Sequence, residues 1–232
     1  MLQQTQVTRV EPVFRRFVEM FPTPAELAEA PFAEVVVAWG DLGYLRRARN
    51  LQAAARQIVD AGWPTDLTDL AGVGPYTAAA VSAFADDAPV AAVDVNVRRI
   101  LSRWTGTVLS TADAGVVGRT TLSPGRAGDW NQAMMDLGAR LCRPRIPRCS
   151  ECPVRSWCTA PSLDLPVRRQ TALDGSIRQA RAAVLKRLAV NDDAVDGLIR
   201  ATGLAPDTVQ QAVEALVSEG TVVEDRDRLS LG

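Results

Sequence analysis

The stretch Cys142–Cys158, CRPRIPRCSECPVRSWC, holds every cysteine of the chain in the spacing C-x6-C-x2-C-x5-C. Four thiolates within 17 residues are a complete ligand set, able to hold a tetrahedral zinc or a [4Fe–4S] cluster. A zinc ribbon usually presents two short C-x2-C knuckles. Here Cys149 and Cys152 form the only one, and the arm from Cys142 to Cys149 carries Arg143, Arg145 and Arg148 around two prolines. Two disulfides or four unrelated thiols are the alternatives. A chain with a cytosolic look seldom keeps disulfides.

Around this loop the composition is restrictive. The chain has 232 residues, 47% of them hydrophobic, enough for one large domain or a domain with a small appendage. No apolar run approaches the roughly 20 residues of a membrane span, and the opening MLQQTQVTRVEPVF is unlike a signal peptide. The expectation is a cytoplasmic protein without a membrane partner. There is no histidine, which excludes Ser-His-Asp and Cys-His chemistry and histidine-ligated metals. The only lysine is Lys186, so Schiff-base chemistry has almost no group to use before it. Net charge is −1, but residues 140–187 carry eleven basic and three acidic groups, and residues 188–232 carry three and nine. An arginine-rich middle can meet phosphate while the tail does not.

Working toward the N-terminus, helical patterns dominate and no strand-period segment appears before residue 215. TRVEPVFRRFVEMF reads as a helix that ends at Phe21-Pro22. Thr23 is placed to cap the next one, with Pro24 at its first position. PFAEVVVAWGDLG and LRRARNLQAAARQIVDAG end at glycines 43 and 62. Residues 94–104 and 129–141 read as helices, the second delivering Cys142, and 105–128 reads as loop-rich. After a linker over 161–176 come helices near 177–190, 193–202 and 206–219, then strands 221–223 and 228–231. The expectation is an all-α main domain over 1–160, with a six-helix part to about 104 and a cluster part beyond. A small winged-helix-like module follows over 177–232. The helix after Pro206 has no Lys or Arg and carries Asp207, Glu214 and Glu219, so a structural or protein-contact role is expected of it, not DNA reading.

Leu70-Ala71-Gly72-Val73-Gly74 followed by PYTAAAV fits a helix–hairpin–helix turn. Gly72 and Gly74 let backbone N–H groups at a helix N-terminus approach a phosphate. Asp94 opens the next helix, where capping is its ordinary role. The segments LAGVGPYTAAAV (70–81), AVDVNVRRILSRW (92–104), NQAMMDLGARLCRPRIPRCSECPVRSWC (131–158), MLQQTQV (1–7) and WGDLGYLRRARNL (39–51) together closely resemble adenine DNA glycosylases of the MutY type, over about residues 1–158. The tail from GSIRQAR resembles winged-helix ends of some actinobacterial members.

The resemblance implies a prokaryotic, nucleoid-associated monomer of the helix–hairpin–helix glycosylase fold. It would remove adenine mispaired with 8-oxoguanine or guanine in double-stranded DNA, after flipping the nucleotide out. It implies that Asp94 is the catalytic carboxylate, supporting the oxocarbenium-like sugar, with Tyr76 and Asn96 beside it. Gln3 and Gln4 correspond to the lesion-entering segment, Leu42 and Tyr44 to a wedge at the mispair, and Arg46 to a DNA contact. Gly72, Val73 and Gly74 would hold phosphate, Cys142, Cys149, Cys152 and Cys158 a [4Fe–4S] cluster, and Arg143, Arg145 and Arg148 the DNA backbone. Bifunctional endonuclease III-like relatives carry a lysine after the glycine turn. Tyr76 stands there, so a monofunctional glycosylase with little lyase activity is expected.

Two departures accompany the resemblance. The family's catalytic glutamate falls two residues before Met1, so the start was assigned late or the chain is truncated. The tail of about 55 residues is shorter than the Nudix-like domain that senses 8-oxoguanine, so weaker lesion discrimination is expected. The rival readings are a thymine or uracil mismatch glycosylase on the same scaffold, a mismatch-binding protein without catalysis, and a redox protein using the cluster.

Overall fold

A computed structural model describes residues 1–3, 5–163, 165 and 174–231. Among the described residues its regular elements are helices, apart from one C-terminal hairpin, and it divides into two compact units. Among the described residues no helix is long and apolar enough to cross a membrane.

The first unit contains Met1–Thr65, Asp69–Gly72 and the C-terminal residues from 170 onward. Its first helices are α1 (Val7–Met20), α2 (Pro24–Glu29), α3 (Phe32–Trp39) and α4 (Arg46–Ala61). Thr23 caps α2 as expected: its side chain accepts from the Glu26 N–H, and Glu26 reaches back to the Thr23 N–H at 2.9 Å. Such a reciprocal cap, with Pro24 pre-set at the first position, starts a helix only six residues long. α3 ends at Gly40, and a 3-10 turn over Gly40–Leu42 leads to Gly43 and Tyr44.

The C-terminal part of this unit has α9 (Ile177–Leu188), α10 (Val195–Thr202), α11 (Pro206–Ser218), β1 (Val222–Asp225) and β2 (Arg228–Leu231). The strands pair antiparallel across a two-residue turn, Arg226-Asp227, with both residues at positive φ. That is the backbone a tight hairpin needs to match strand twist. Asp193 bridges to Leu229 and extends the small sheet. Three helices and a hairpin are the expected winged-helix arrangement. Its apolar residues, including Val184, Leu198, Val209, Leu216 and Leu229, join those of α1–α4 in one continuous buried cluster. The compact units therefore cut across the linear boundaries expected from the sequence.

The second unit holds Asp66–Thr68 and the residues from Val73 to 169. It contains α5 (Pro75–Asp86), α6 (Val95–Thr105), α7 (Thr111–Thr121), α8 (Ala127–Arg140) and the cysteine loop. Val97, Ile100 and Leu101 of α6 follow the helical period and pack with Ala114 and Met134. Residues 105–128 are more ordered than their sequence indicates: α7 occupies eleven of them, capped by Ser110. Close packing explains it, since a Cβ on Gly118 would stand 2.6 Å from Ala91 Cβ.

Candidate active site and cluster loop

In the second unit, Asp94 caps α6. Its Oδ1 accepts from the Asn96 and Val97 N–H groups, each at 2.8 Å, and its Oδ2 accepts from Asn96 Nδ2 at 2.7 Å. Capping and the candidate catalytic role thus fall on one carboxylate, aimed at the positive end of a helix. Tyr76, in the first turn of α5, lies near enough that the Asp94 charge, after burial itself, raises its phenol above the usual tyrosine range. The phenol stays an O–H donor at neutral pH.

Two residues the sequence reading did not single out hold this site. Asn131 on α8 is fully buried; it accepts from the Ala92 N–H at 2.8 Å and donates to the Val90 carbonyl at 2.9 Å. It thereby fixes the extended segment that leads into Asp94. Arg99, 5% exposed, donates to Asn96 Oδ1 at 2.9 Å, to the Cys142 carbonyl at 2.8 Å and to the Gly138 carbonyl at 3.1 Å. Gly138 lets the helices approach: a Cβ there would stand 2.8 Å from Asn96 Cβ.

All four cysteines are free thiols and line one pocket with Ile100, Arg103 and Leu137. Burial, and then the neighbouring Cys142, push the Cys158 thiol up. Arg103 anchors the loop, donating to Cys142 Sγ at 3.2 Å, to the Arg143 carbonyl at 2.9 Å and to the Pro144 carbonyl at 2.9 Å. Among the described residues no three His, Cys, Asp or Glu side chains converge on a point as they would around a single metal ion. The thiols instead line the walls of a shared pocket. Arg143, Arg145 and Arg148 are exposed, but Arg148 pairs with Glu151 at 2.6 Å. Arg181, Lys186 and Arg187 pair with Glu219, Asp41 and Asp193. Among the described residues, four of the basic side chains of the middle segment are thus paired with carboxylates.

The glycine turn behaves as two pieces. Gly72 has φ +75°, and a Cβ there would stand 2.6 Å from Asn50 Cβ, so only glycine fits. Gln57 of α4 secures this end, accepting from the Ala71 N–H at 2.7 Å. Val73 is half-buried. Gly74 precedes Pro75, and nothing lies within 4 Å of where its Cβ would be. Gly74 and Pro75, at the start of α5, are exposed.

In the first unit, Arg47 organises the loop after α3. It donates to the carbonyls of Met1, at 2.9 Å, and Gln3, and to those of Leu42 and Gly43 at 3.2 and 3.3 Å. Its guanidinium stacks on the Tyr44 ring at 5.3 Å and the Trp39 ring at 5.5 Å. Tyr44 takes φ +50°, a left-handed conformation that costs a non-glycine residue about 1–3 kcal/mol. Gln3, Tyr44 and Arg46 are exposed, whereas Leu42 is buried in the core at 4% exposure. Of the expected wedge pair, the structure presents Tyr44. Gln4 lies outside the described residues.

Comparison with known proteins identifies the class. Residues 1–113 match the family model for the HhH-GPD superfamily base excision DNA repair protein. A thermostable thymine-DNA glycosylase superposes with TM-score 0.64 at 27% identity, covering 68% of this chain and 78% of that one. A trapped endonuclease III–DNA covalent intermediate gives 0.60 at 26%, with the same shares. These define a helix–hairpin–helix DNA glycosylase.

Sequence relatives narrow the class. The adenine DNA glycosylase of Mycobacterium tuberculosis H37Rv is 38% identical over 98% of this chain and 81% of its own length. That of Mycolicibacterium smegmatis is 41% identical over 80% and 68%, and that of Homo sapiens 39% over 69% and 32%. The chain belongs to the adenine DNA glycosylase family of base-excision repair enzymes.

Proposed function

We propose that this chain excises adenine opposite 8-oxoguanine or guanine by hydrolysing the N-glycosidic bond of a flipped nucleotide. The observation that carries the proposal is the Asp94–Asn96–Tyr76 group at the N-terminus of α6. Every hydrogen bond of Asp94 described above uses a carboxylate oxygen as acceptor. That suits an anion facing the positive charge that develops on the sugar as the base departs. Asn96 keeps the carboxylate in one orientation, and the Tyr76 hydroxyl supplies a donor beside it. With Tyr76 at the position where bifunctional relatives carry lysine, water is the nucleophile and the strand is left intact.

The ligand is duplex DNA, held at its phosphates by the Gly74 turn and by Arg143 and Arg145. Tyr44, Arg46 and the segment with Gln3 and Gln4 meet the mispair. Four thiols spaced around one pocket, with no histidine in the chain, suit the four corners of a [4Fe–4S] cluster. Cys142, Cys149, Cys152 and Cys158 would hold it. The cluster would fix the loop that carries the arginines, and no step of base removal is assigned to it.

The test is a single-turnover assay on duplexes with adenine opposite 8-oxoguanine and with thymine opposite guanine, developed with alkali. Adenine release that disappears in Asp94→Asn supports the proposal. Thymine release alone moves the chain to the mismatch class of its structural neighbour. Binding without release of either base removes the catalytic reading.

A further inference from the structure

The C-terminal module meets the Asp41–Arg46 loop through two hydrogen bonds, both inside the first unit, and one module carboxylate feels the charge of Arg46. Lys186 Nζ donates to Asp41 Oδ1 at 3.1 Å. Arg178 Nη1 donates to Tyr44 Oη at 3.5 Å. Glu219, at the end of α11, accepts from Arg181 at 3.0 and 2.5 Å. The Arg181 hydrogen bonds chiefly hold its carboxyl below the usual range, and the charge of Arg46 adds to the effect.

We propose that this module is a specificity brace for the mispair-reading loop, in which Arg178 acts as a positioning residue for Tyr44. The proposal rests on the reading above that this loop faces the mispair.

The remaining geometry narrows what a brace would act on. Leu42 is buried, so the loop presents Tyr44 and Arg46 outward. Tyr44 sits in a left-handed conformation between Gly43 and Leu45 and does not reach it by local preference. Its ring face lies on Arg47, and Arg178 reaches its hydroxyl from α9. The Arg47 stack sets the height of the ring, and the Arg178 hydrogen bond sets its tip. The Lys186–Asp41 pair is largely exposed on both sides and contributes little to stability, so the polar bonds align the loop while the shared apolar core carries the docking. α11 has no basic residue with which to hold DNA. A module that shares its core with α1–α4, touches the loop and has no basic reading helix acts through the loop.

The test is a double-mutant cycle in the full chain with Tyr44→Phe, Arg178→Ala and both together. The readout is the ratio of affinities for an adenine:8-oxoguanine duplex over a matched duplex. Each single variant is expected to cut the ratio about three- to tenfold, and the double variant to cut it no further. Additive losses, an unchanged ratio in Arg178→Ala, or tighter binding by that variant overturns the brace. The chain has two tyrosines, so 3-fluorotyrosine in a Tyr76→Phe background reports Tyr44 alone. Its resonance, measured without DNA, should move in Arg178→Ala. An unmoved resonance also overturns the proposal, independently of activity. A wild-type chain that binds both duplexes equally refutes the underlying reading, and the brace with it. Variant failures in a discriminating wild type refute the brace alone.

Discussion

Arg99 donates to the Asn96 amide oxygen at 2.9 Å, and this bond decides which way the amide faces. A guanidinium only donates, so Asn96 Oδ1 must point at Arg99 and Nδ2 must point at Asp94. The same guanidinium holds the Cys142 and Gly138 carbonyls. One buried side chain therefore links the entry of the cysteine loop to the candidate catalytic carboxylate. Arg99→Leu leaves three acceptors orphaned, at about 1–3 kcal/mol for a fully buried group. We expect destabilisation of about 3 kcal/mol in urea unfolding, and slower adenine release even at temperatures where the variant is fully folded. Unchanged single-turnover rates in folded protein would show that the link to Asp94 has no catalytic weight.

Asp94 caps α6, and a pair of substitutions separates that role from the catalytic one proposed for it. Asparagine is as good a cap as aspartate, whereas alanine forfeits the cap, at about 1 kcal/mol. Asp94→Asn keeps the cap but sets its amide N–H2 against Asn96 Nδ2, so it should lower the melting temperature less than alanine does and abolish base release. Asp94→Ala should abolish release and also lower stability. A stable, active Asp94→Asn chain would move the catalytic role to another group.

Much of this was legible in sequence. Thr23, the prolines opening α2, α5 and α11, and Asp94 opening α6 are local signals, and each stands at the start of its helix as expected. α7 was not legible, because TADAGVVGRTT is rich in glycine and β-branched residues with poor helix propensity. It forms because its small residues let it pack against the segment before Asp94. The buried arginines were not legible either. Arg99 and Arg103, and the half-buried Arg47, were not singled out, because their partners are carbonyls brought from distant positions by folding. For the same reason, four of the basic residues in the charged middle, among the described residues, are paired with carboxylates.

The two glycines of the turn should respond differently. Gly72→Ala combines a positive φ with a Cβ against Asn50, and should destabilise by more than about 1 kcal/mol. Gly74 has φ −89° and open space at its Cβ, so Gly74→Ala should fold normally. If the α5 N-terminus holds a phosphate, the added methyl should still weaken DNA binding. Equal affinity for DNA in a stable Gly74→Ala chain would remove phosphate binding from this turn.

Arg143 and Arg145 are the exposed cations of the cysteine loop, whereas Arg148 is engaged by Glu151. Replacing Arg145 with alanine should weaken matched and mispaired duplexes alike. It should also reduce the slope of log affinity against log salt by roughly 0.9 for each phosphate that is no longer neutralised. Arg148→Ala should change the slope less. Binding titrations at several salt concentrations make the comparison, and equal slopes for all three proteins would place the DNA backbone elsewhere.

Arg47 holds the loop after α3, the loop proposed to face the mispair. It binds carbonyls of residues 1–3 and 42–43 together and lies under the strained Tyr44 ring. Lysine offers a compact charge in place of a planar fork with five donors, so Arg47→Lys preserves charge and loses the geometry. Both Arg47→Lys and Arg47→Ala should therefore lose mispair discrimination to a similar extent. The lysine variant should keep its affinity for matched DNA. Urea unfolding should show destabilisation of about 1–3 kcal/mol for Arg47→Ala, set by the carbonyls left without a donor. If Arg47→Lys retained full discrimination, charge alone would be sufficient and the fork geometry would carry no weight in presenting Tyr44.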